Sequence, residues 1–466
     1  MAAPALKPHA VAGAARRSPR VLVAGGGVGG LALAIALRAR GVSDVLVLER
    51  DASLDTAAAR STGLALWPNA SAALRALSPA ARLDAQAAAA GEPLDASLFA
   101  PAGCAAGAPP PVRASQEGLA RFGAAAVTLR WRSLVALLAA QLPEGVVRCD
   151  AALQQVERLA GGGVRATFAR RDGSGATTVE ADVLVGADGV RSRTRALLLG
   201  DHAPRDAGRV AWRAVVPLTP ALEALCPRQH SFMAAAPREG RTLTLMHLGS
   251  REFYWALGCL DAEAAVAEPP TPGNGSSPWV DAISAVAAAS FASWPLVDTL
   301  LAATPPGAVL QQRLYDREPL HPDALLHAGP VTLLGDALHA MIPSLGQGAC
   351  SALEGALELA QCIAAAAVVE AADASARAEL LGEALRGYEA ARLARSTAIQ
   401  TRSAHAGAAA YGKRPGGGKE AQTPPEAAAA AGGAAADAVR PEDFMAWLHD
   451  YRSPHAELDA VLLQRA

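Results

Sequence analysis

The run Val21-Leu22-Val23-Ala24 followed by Gly25-Gly26-Gly27-Val28-Gly29-Gly30 constrains this 466-residue chain more than any other feature. A short apolar, β-branched stretch stops at a glycine cluster, and Leu31 to Leu37 then continues at helical spacing. A second apolar run, Val45-Leu46-Val47-Leu48, follows, so the segment reads as strand, helix, strand: one βαβ unit of about 30 residues. Gly25, Gly27 and Gly30 form G-x-G-x-x-G, and Glu49 closes the second strand nineteen residues after Gly30. That spacing fits dinucleotide binding. Gly25 permits a tight turn, Gly27 lets backbone approach a pyrophosphate, and Gly30 lets helix and strand pack closely. The helix N-terminus, with Val28 and Gly29, offers unpaired N–H groups and about half a positive charge. Glu49, with Arg50 beside it, is placed to accept hydrogen bonds from ribose hydroxyls.

Hydrophobic residues make up 51% of the chain and charged residues 18%, enough to bury a sizeable core and to exclude wholesale disorder. Much of the apolar share is alanine and aromatics are only 4%, so the percentage overstates that core. Forty-two Lys+Arg against 44 Asp+Glu leave a net charge of -2, without the basic excess of a nucleic-acid binder. The six cysteines are scattered with no C-x-x-C pair, which predicts neither a zinc site nor a disulfide scaffold and suits a reducing compartment. No uncharged apolar run reaches the ~20 residues of a membrane helix, so no integral membrane segment is expected. Lys7, Arg16, Arg17 and Arg20 stand among the first twenty residues without an acid. The segment reads as a disordered tail on a cytoplasmic protein, with organelle import as the alternative.

A chain of this length allows two or three domains. Periodicity predicts helices over Asn69–Leu77 and Arg132–Gln141, and loop over the Pro/Ala/Gly-rich residues 90–118. Gln155–Leu159, Val164–Arg170 and Val183–Val185 read as a strand meander, and residues 209–260 as a second antiparallel sheet. Residues 261–278 are a Pro/Gly/Ser surface loop, Val331–Leu334 is a fully apolar strand, and Gly348–Arg402 is one long helical region. Residues 404–438 are Ala/Gly low complexity, and Phe444–Leu463 reads as a terminal helix that docks back.

Two further motifs carry chemistry. Val183-Leu184-Val185-Gly186-Ala187-Asp188-Gly189 puts an Asp-Gly pair just after a strand, with Ser192 and Arg195 spaced behind it. Leu333-Leu334-Gly335-Asp336 places a carboxylate at a strand's carboxyl end, where ligands of α/β sheets bind. Pro343-Ser344-Leu345-Gly346-Gln347-Gly348 then opens a long helix whose N-terminus favours negative charge.

With these three separated motifs in this order, residues 20–400 resemble the class A flavoprotein monooxygenases, the family of para-hydroxybenzoate hydroxylase, salicylate hydroxylase and zeaxanthin epoxidase. The resemblance implies a Rossmann-like α/β FAD-binding domain with an inserted antiparallel-sheet substrate domain. Residues 20–77, 119–205 and 325–402 would form the first, and 78–118 and 206–324 the second. Residues 1–19 form the tail, 403–439 a low-complexity linker, and 440–466 the C-terminal helix. It further implies that Gly25, Gly27, Val28, Gly29, Gly30, Glu49 and Arg50 hold the adenosine half of FAD. Arg132, Asp188, Gly189, Gly335 and Asp336 would contact the cofactor, Asp336 at its ribityl–pyrophosphate part. Gly346, Gln347 and Gly348 would lie beside the flavin ring, and Ser192 and Arg195 belong to the segment used for both FAD and NAD(P)H. Gly63–Ala70, Trp212-Arg213 and Tyr315–Leu320 also match. Leu338 departs from the Gly-Asp-Ala-Ala-His-Pro often found in the family.

The implied activity is NAD(P)H- and O2-dependent hydroxylation of an aromatic or heteroaromatic substrate, or epoxidation of an alkene. A dehydrogenase or reductase on the same fold, or a non-catalytic FAD-binding protein, is the alternative. A halogenase is not expected, since Trp212-Arg213-Ala214-Val215 does not match Trp-x-Trp-x-Ile-Pro. His339 reads as a packed or satisfied strand-end histidine rather than a proton relay. Arg213 and Tyr254 read as packing or solvated residues rather than substrate contacts. No HExxH, GxSxG or P-loop spacing occurs. The expected partners are a small aromatic or isoprenoid substrate and O2, with no nucleic acid.

Overall fold

The computed structural model describes residues 18–55, 62–94, 96–101, 114–200, 203–226, 230–236, 240–260, 283, 286, 290–291, 295–325, 329–411 and 443–465. The expected N-terminal tail, the loop at 261–278 and most of the low-complexity linker lie outside them.

A five-stranded parallel sheet forms the base, in the order Val331–Leu333, Val183–Gly186, Val21–Ala24, Val45–Leu48, Val147–Arg148. The first strand of the chain is therefore central, with the strand of the second motif on one side and Val45–Leu48 on the other. Val21, Leu22, Val23, Val183, Leu184 and Val185 are wholly buried, because helices cover one face and a meander the other. That double burial explains a departure from the sequence reading. Val183–Gly186 is not the third strand of the meander but a core strand of the parallel sheet. The meander is completed by Ala176–Ala181, which pairs with Val164–Ala169, itself paired with Ala152–Arg158.

Val28–Arg38 and Gly348–Ala367 pack against each other beside the parallel sheet, their contact made by Leu31, Leu353, Ala356 and other small or apolar residues. Gly348–Ala367 is long and apolar enough to cross a membrane, but 83% of the qualifying window is buried inside this protein as a core helix. The long helical region is interrupted: Ala374–Tyr411 is a separate helix, its start held by Asp373, whose Oδ1 accepts from Ala376 N at 2.9 Å.

The second sheet has six strands, Leu310–Asp316, Arg205–Pro217, Glu252–Leu260, Arg241–His247, His230–Ala236 and Ala96–Pro101 in that order. Its edge strand comes from the segment where composition predicts loop. Ala96–Pro101 pairs in parallel with His230–Ala236, a contact 134 positions away that no local periodicity announces (230 − 96). Ala114–Phe122 in the same segment is helical. The terminal region docks back as two helices, Phe444–His449 and Ala456–Arg465, separated at Ser453-Pro454. Arg40 anchors it, donating to both oxygens of Asp459 and to the carbonyls of Ala36, Ala76 and Leu77.

Candidate cofactor site

The three motifs end at the same edge of the parallel sheet. Backbone bonds tie them together: Gly25 N to Leu48 O (2.8 Å), Ala187 N to Ala24 O (2.8 Å) and Leu334 N to Gly186 O (2.9 Å). Gly25 has φ +117°, and a Cβ there would come within 2.3 Å of Ala187 O, so this position takes only glycine. A Cβ on Gly30 would lie 2.0 Å from Gly25 O, and one on Gly29 would touch Leu334 and Ala352 at 3.4–3.5 Å. Gly27 is different, since nothing lies within 4 Å of its Cβ position, and the same holds for Gly189. Two glycines thus enforce contact within the protein while two others face open space at one sheet edge.

The helix Val28–Arg38 starts at that space with Gly27 as N-cap, and no side chain caps it. Its first amide groups are the orphan donors that an anion satisfies. Glu49 is buried and held by backbone, its two oxygens accepting from Gly26 N (2.7 Å) and Asp51 N (2.9 Å). Each carboxylate oxygen keeps a second lone pair for a ribose hydroxyl. Arg50 is exposed beside it.

Asp336 begins a short helix after Gly335, and its side chain is accessible to solvent although protein atoms surround it closely enough for desolvation to raise its carboxyl pKa. The carboxylate is thus reachable from solvent yet partly desolvated by its neighbours. A Cβ on Gly348, the first residue of Gly348–Ala367, would lie 4.0 Å from Asp336 Oδ1, so the ring loop and this carboxylate are neighbours.

Other candidates face inward. Asp188 accepts from Ser192 Oγ, from Thr194 N at 2.9 Å and from Thr194 Oγ1 at 3.1 Å, while Ser192 Oγ accepts from Arg195 N at 2.8 Å. Arg195 is buried and donates to Ala337 O (3.1 Å) and Leu338 O (2.8 Å), with burial and Arg317 lowering its pKa to about 10. These polar groups cap one helix and clamp the end of another, so Ser192 and Arg195 are buried in structural bonds. Gln347 is also buried: its Oε1 accepts from Asn69 Nδ2 at 2.9 Å, while its Nε2 has no partner among the described residues. His339 is packed but not satisfied. Neither ring nitrogen has a partner among the described residues, and burial with Arg392 nearby lowers its pKa to about 3, which keeps it neutral.

Arg132 sits at the seam between the two sheets, Nη2 lying 3.8 Å from Glu252 Oε1, with Arg130 closer to the same carboxylate. The antiparallel sheet turns one face into its own core, through Trp212, Ala214, Trp255 and Leu257. By alternation Arg213 and Tyr254 share the opposite face. There Tyr254 lies against Gly63, whose Cβ would meet its ring at 2.8 Å, with Arg213 and Thr62 beside it. Burial lowers the Arg213 pKa and raises that of Tyr254. Arg213 keeps a buried Nε without a partner, so the bland reading from sequence understates this pair.

Sequence reasoning missed a buried ionic cluster behind the ring loop. Glu354 accepts from Asn69 Nδ2 (2.7 Å), from Arg395 Nε and Nη2 (2.8 Å each) and from Arg392 Nη1 (2.8 Å). Burial alone would raise its carboxyl, but Arg395 and Arg392 hold it at about 2. The clue lay in the spacing of Glu354 and Glu358 on one helix and Arg392 and Arg395 on the next, which puts each pair on one face.

The open space at Gly27 and Gly189, the uncapped helix start and the solvent-reachable carboxylate of Asp336 fit an elongated dinucleotide with a polar chain between its halves, as in FAD. Comparison with known proteins agrees. The family described as "FAD binding domain" matches residues 19–272. Aurachin C monooxygenase/isomerase of Stigmatella aurantiaca is 30% identical over 355 residues, covering 76% of this chain and 82% of that protein. The 6-hydroxynicotinate 3-monooxygenase of Bordetella bronchiseptica is 34% identical over 243 residues, 52% of this chain and 58% of its own length. Among solved structures, Klebsiella pneumoniae HpxO complexed with FAD and uric acid superimposes with a TM-score of 0.68 at 23% identity, over 96% of this chain and 97% of that one. The chain belongs to the class A FAD-dependent monooxygenases. It is an oxidoreductase with FAD as cofactor and NAD(P)H as the usual reductant of its family.

Proposed function

We propose that this monooxygenase hydroxylates a flat aromatic or heteroaromatic substrate bearing an acidic or strongly polar group, held against the face that carries Arg213 and Tyr254. The observation that supports this is the half-buried Arg213 beside the buried Tyr254 where the antiparallel sheet meets Gly63, its guanidinium Nε buried without a partner among the described residues. A buried guanidinium recognises a carboxylate, an enolate or a ring carbonyl by charge-assisted hydrogen bonds. Related proteins carry names such as 6-hydroxynicotinate 3-monooxygenase, FAD-dependent urate hydroxylase and 3-amino-4-hydroxybenzoate 2-monooxygenase, all with polar aromatic substrates.

In this reading the amides of Val28, Gly29 and Gly30 and the space at Gly27 receive the pyrophosphate, and Glu49 the adenosine ribose, with Arg50 and Arg132 flanking. Asp336 accepts from the ribityl hydroxyls, and the Gly346–Gly348 backbone with the following helix start lies against the ring. FAD, when bound, supplies hydride acceptance from NAD(P)H and the transfer of one oxygen atom of O2. The protein's own part is to position the substrate and exclude water. The buried free thiols of Cys226, Cys259, Cys350 and Cys362 support a reducing compartment such as the cytoplasm.

The test is to load the purified chain with FAD and follow NAD(P)H oxidation and product mass together over a panel of aromatic acids, heteroaromatics and isoprenoids. Hydroxylated product from an acidic aromatic is expected, with Arg213→Gln raising KM at least about tenfold. Oxidation of NAD(P)H without oxygenated product would favour a reductase, and an epoxide from an isoprenoid would overturn the substrate class.

A further inference from the structure

The ring loop is held from behind by the far end of the chain. Two separate routes lead from Phe444–Tyr451 to the residues Gly346–Gly348. On the first, the His449 ring stacks on Trp67, centroids 5.2 Å apart and planes at 13°, with Phe122 edge-on to the same imidazole. Trp67 in turn closes on the loop, for a Cβ on Gly346 would lie 2.9 Å from its Nε1. On the second, Arg395 donates to Leu448 O at 2.9 Å and lies over the rings of Trp447 and Tyr451. The same guanidinium grips both oxygens of Glu354, Glu354 accepts from Asn69, and Asn69 donates to Gln347.

The polarity of the second route is set by chemistry. A charged carboxylate at Glu354 requires an N–H₂ from Asn69, and the other hydrogen of that group then requires the oxygen of Gln347. The bonded members of this network hold one another in place, while Asn69 Oδ1 and Gln347 Nε2 are buried without a partner among the described residues. The loop is one 3-10 turn, Pro343–Leu345, followed by Gly346 in the left-handed region, and apart from these two routes Ser403 Oγ donates to Ile342 O at 2.6 Å just before it.

We propose that the C-terminal segment Phe444–Tyr451 sets the position of the ring loop, with His449, Arg395, Asn69 and Gln347 as positioning residues. The coupling rests on geometry; its effect on the cofactor rests on the reading given under the proposed function.

The test uses the full chain. Hydrogen exchange of the Gly346–Ser351 amides is measured without FAD, and FAD affinity and the absorption bands of the bound flavin are measured with it. His449→Ala and Arg395→Met are each expected to weaken FAD about five- to tenfold and to speed loop exchange about tenfold beyond any change at Val21–Ala24, which reports the global loss when Arg395→Met leaves Glu354 short of a partner. Asn69→Leu should add nothing to Arg395→Met, since both lie on one route, whereas His449→Ala should add to either. Loop exchange within twofold of wild type in the His449→Ala/Arg395→Met double variant would overturn the proposal. If that variant fails to fold, His449→Ala alone decides, because it removes only a ring stack. A wild-type chain that binds no FAD would instead sink the flavoprotein reading, while the exchange result stands independently.

Discussion

Adding a methyl group at Gly30 and at Gly27, three residues apart, should produce opposite defects. At Gly30 the new Cβ would sit 2.0 Å from Gly25 O, whereas real Cβ contacts essentially never fall under 3.0 Å. The oxygen belongs to backbone and cannot rotate away, so the helix must retreat from the strand by about 1 Å. Overpacking of this kind costs up to about 3 kcal/mol, and replacing a helical glycine by alanine returns about 1 kcal/mol, leaving Gly30→Ala about 2 kcal/mol less stable. At Gly27 the backbone is extended (φ -75°, ψ -176°) and the methyl meets nothing. Losing a glycine N-cap costs less than about 1 kcal/mol, so the FAD-free fold should be nearly unaffected. The methyl does, however, enter the open space that the proposed function gives to the pyrophosphate, and on that reading FAD should bind at least about tenfold more weakly, or about 1.4 kcal/mol. Urea unfolding of the FAD-free chains and titration of flavin fluorescence separate the two effects. Wild-type FAD affinity in Gly27→Ala, or stability of Gly30→Ala within about 0.5 kcal/mol of wild type, would refute the division between packing and ligand glycines.

Asp336→Ala should weaken FAD about tenfold or more while leaving the FAD-free fold as stable or more so, because its charge is desolvated and its side chain is free to reach a ligand; fluorescence titration with a melting curve checks both. Glu354→Gln should cost about 3–5 kcal/mol at pH 7 by leaving Arg392 and Arg395 short of a partner in the interior. In the wild type, Glu354 has a folded pKa depressed from 4.5 to about 2, so its contribution is present above 4.5 and lost as pH falls toward 2; urea midpoints at pH 5 and pH 3 should show the loss, and Glu354→Gln should lack it. Glu389 is the reverse case. Burial raises its carboxyl to about 7, opposed by a hydrogen bond from Thr332 and by Arg386, so its contribution is fully present below 4.5 and lost as pH rises through 7. Glu389→Gln keeps an acceptor for Thr332 and should match wild type at pH 5 yet be more stable at pH 8, as read from melting temperatures.

The glycine fingerprint, the Asp188-Gly189 and Gly335-Asp336 strand ends and the two-sheet architecture were legible in the residues themselves. Each is a local pattern: a β-branched run, a turn that only glycine makes, a helix at 3.6-residue spacing. Such patterns depend on conformations of a few consecutive residues, so they survive without knowledge of the rest of the chain. What that reading could not supply was direction and partnership. Gln347 lies in the expected loop yet turns into the protein, because Asn69, 278 positions earlier in the chain, is waiting for its oxygen. Asp188 and Arg195 spend their polar groups on neighbouring helices, and Arg213 and Tyr254 gain weight only because strand pairing places them on one face. Glu354 with Arg392 and Arg395, and His449 on Trp67, join segments with no shared periodicity, and their charge states follow from the burial that folding imposes. Local propensity thus determined the strand-turn-helix units that carry the three motifs, while long-range packing decided the edge strand Ala96–Pro101, the sheet that Val183–Gly186 joins, and which side chains are buried or charged.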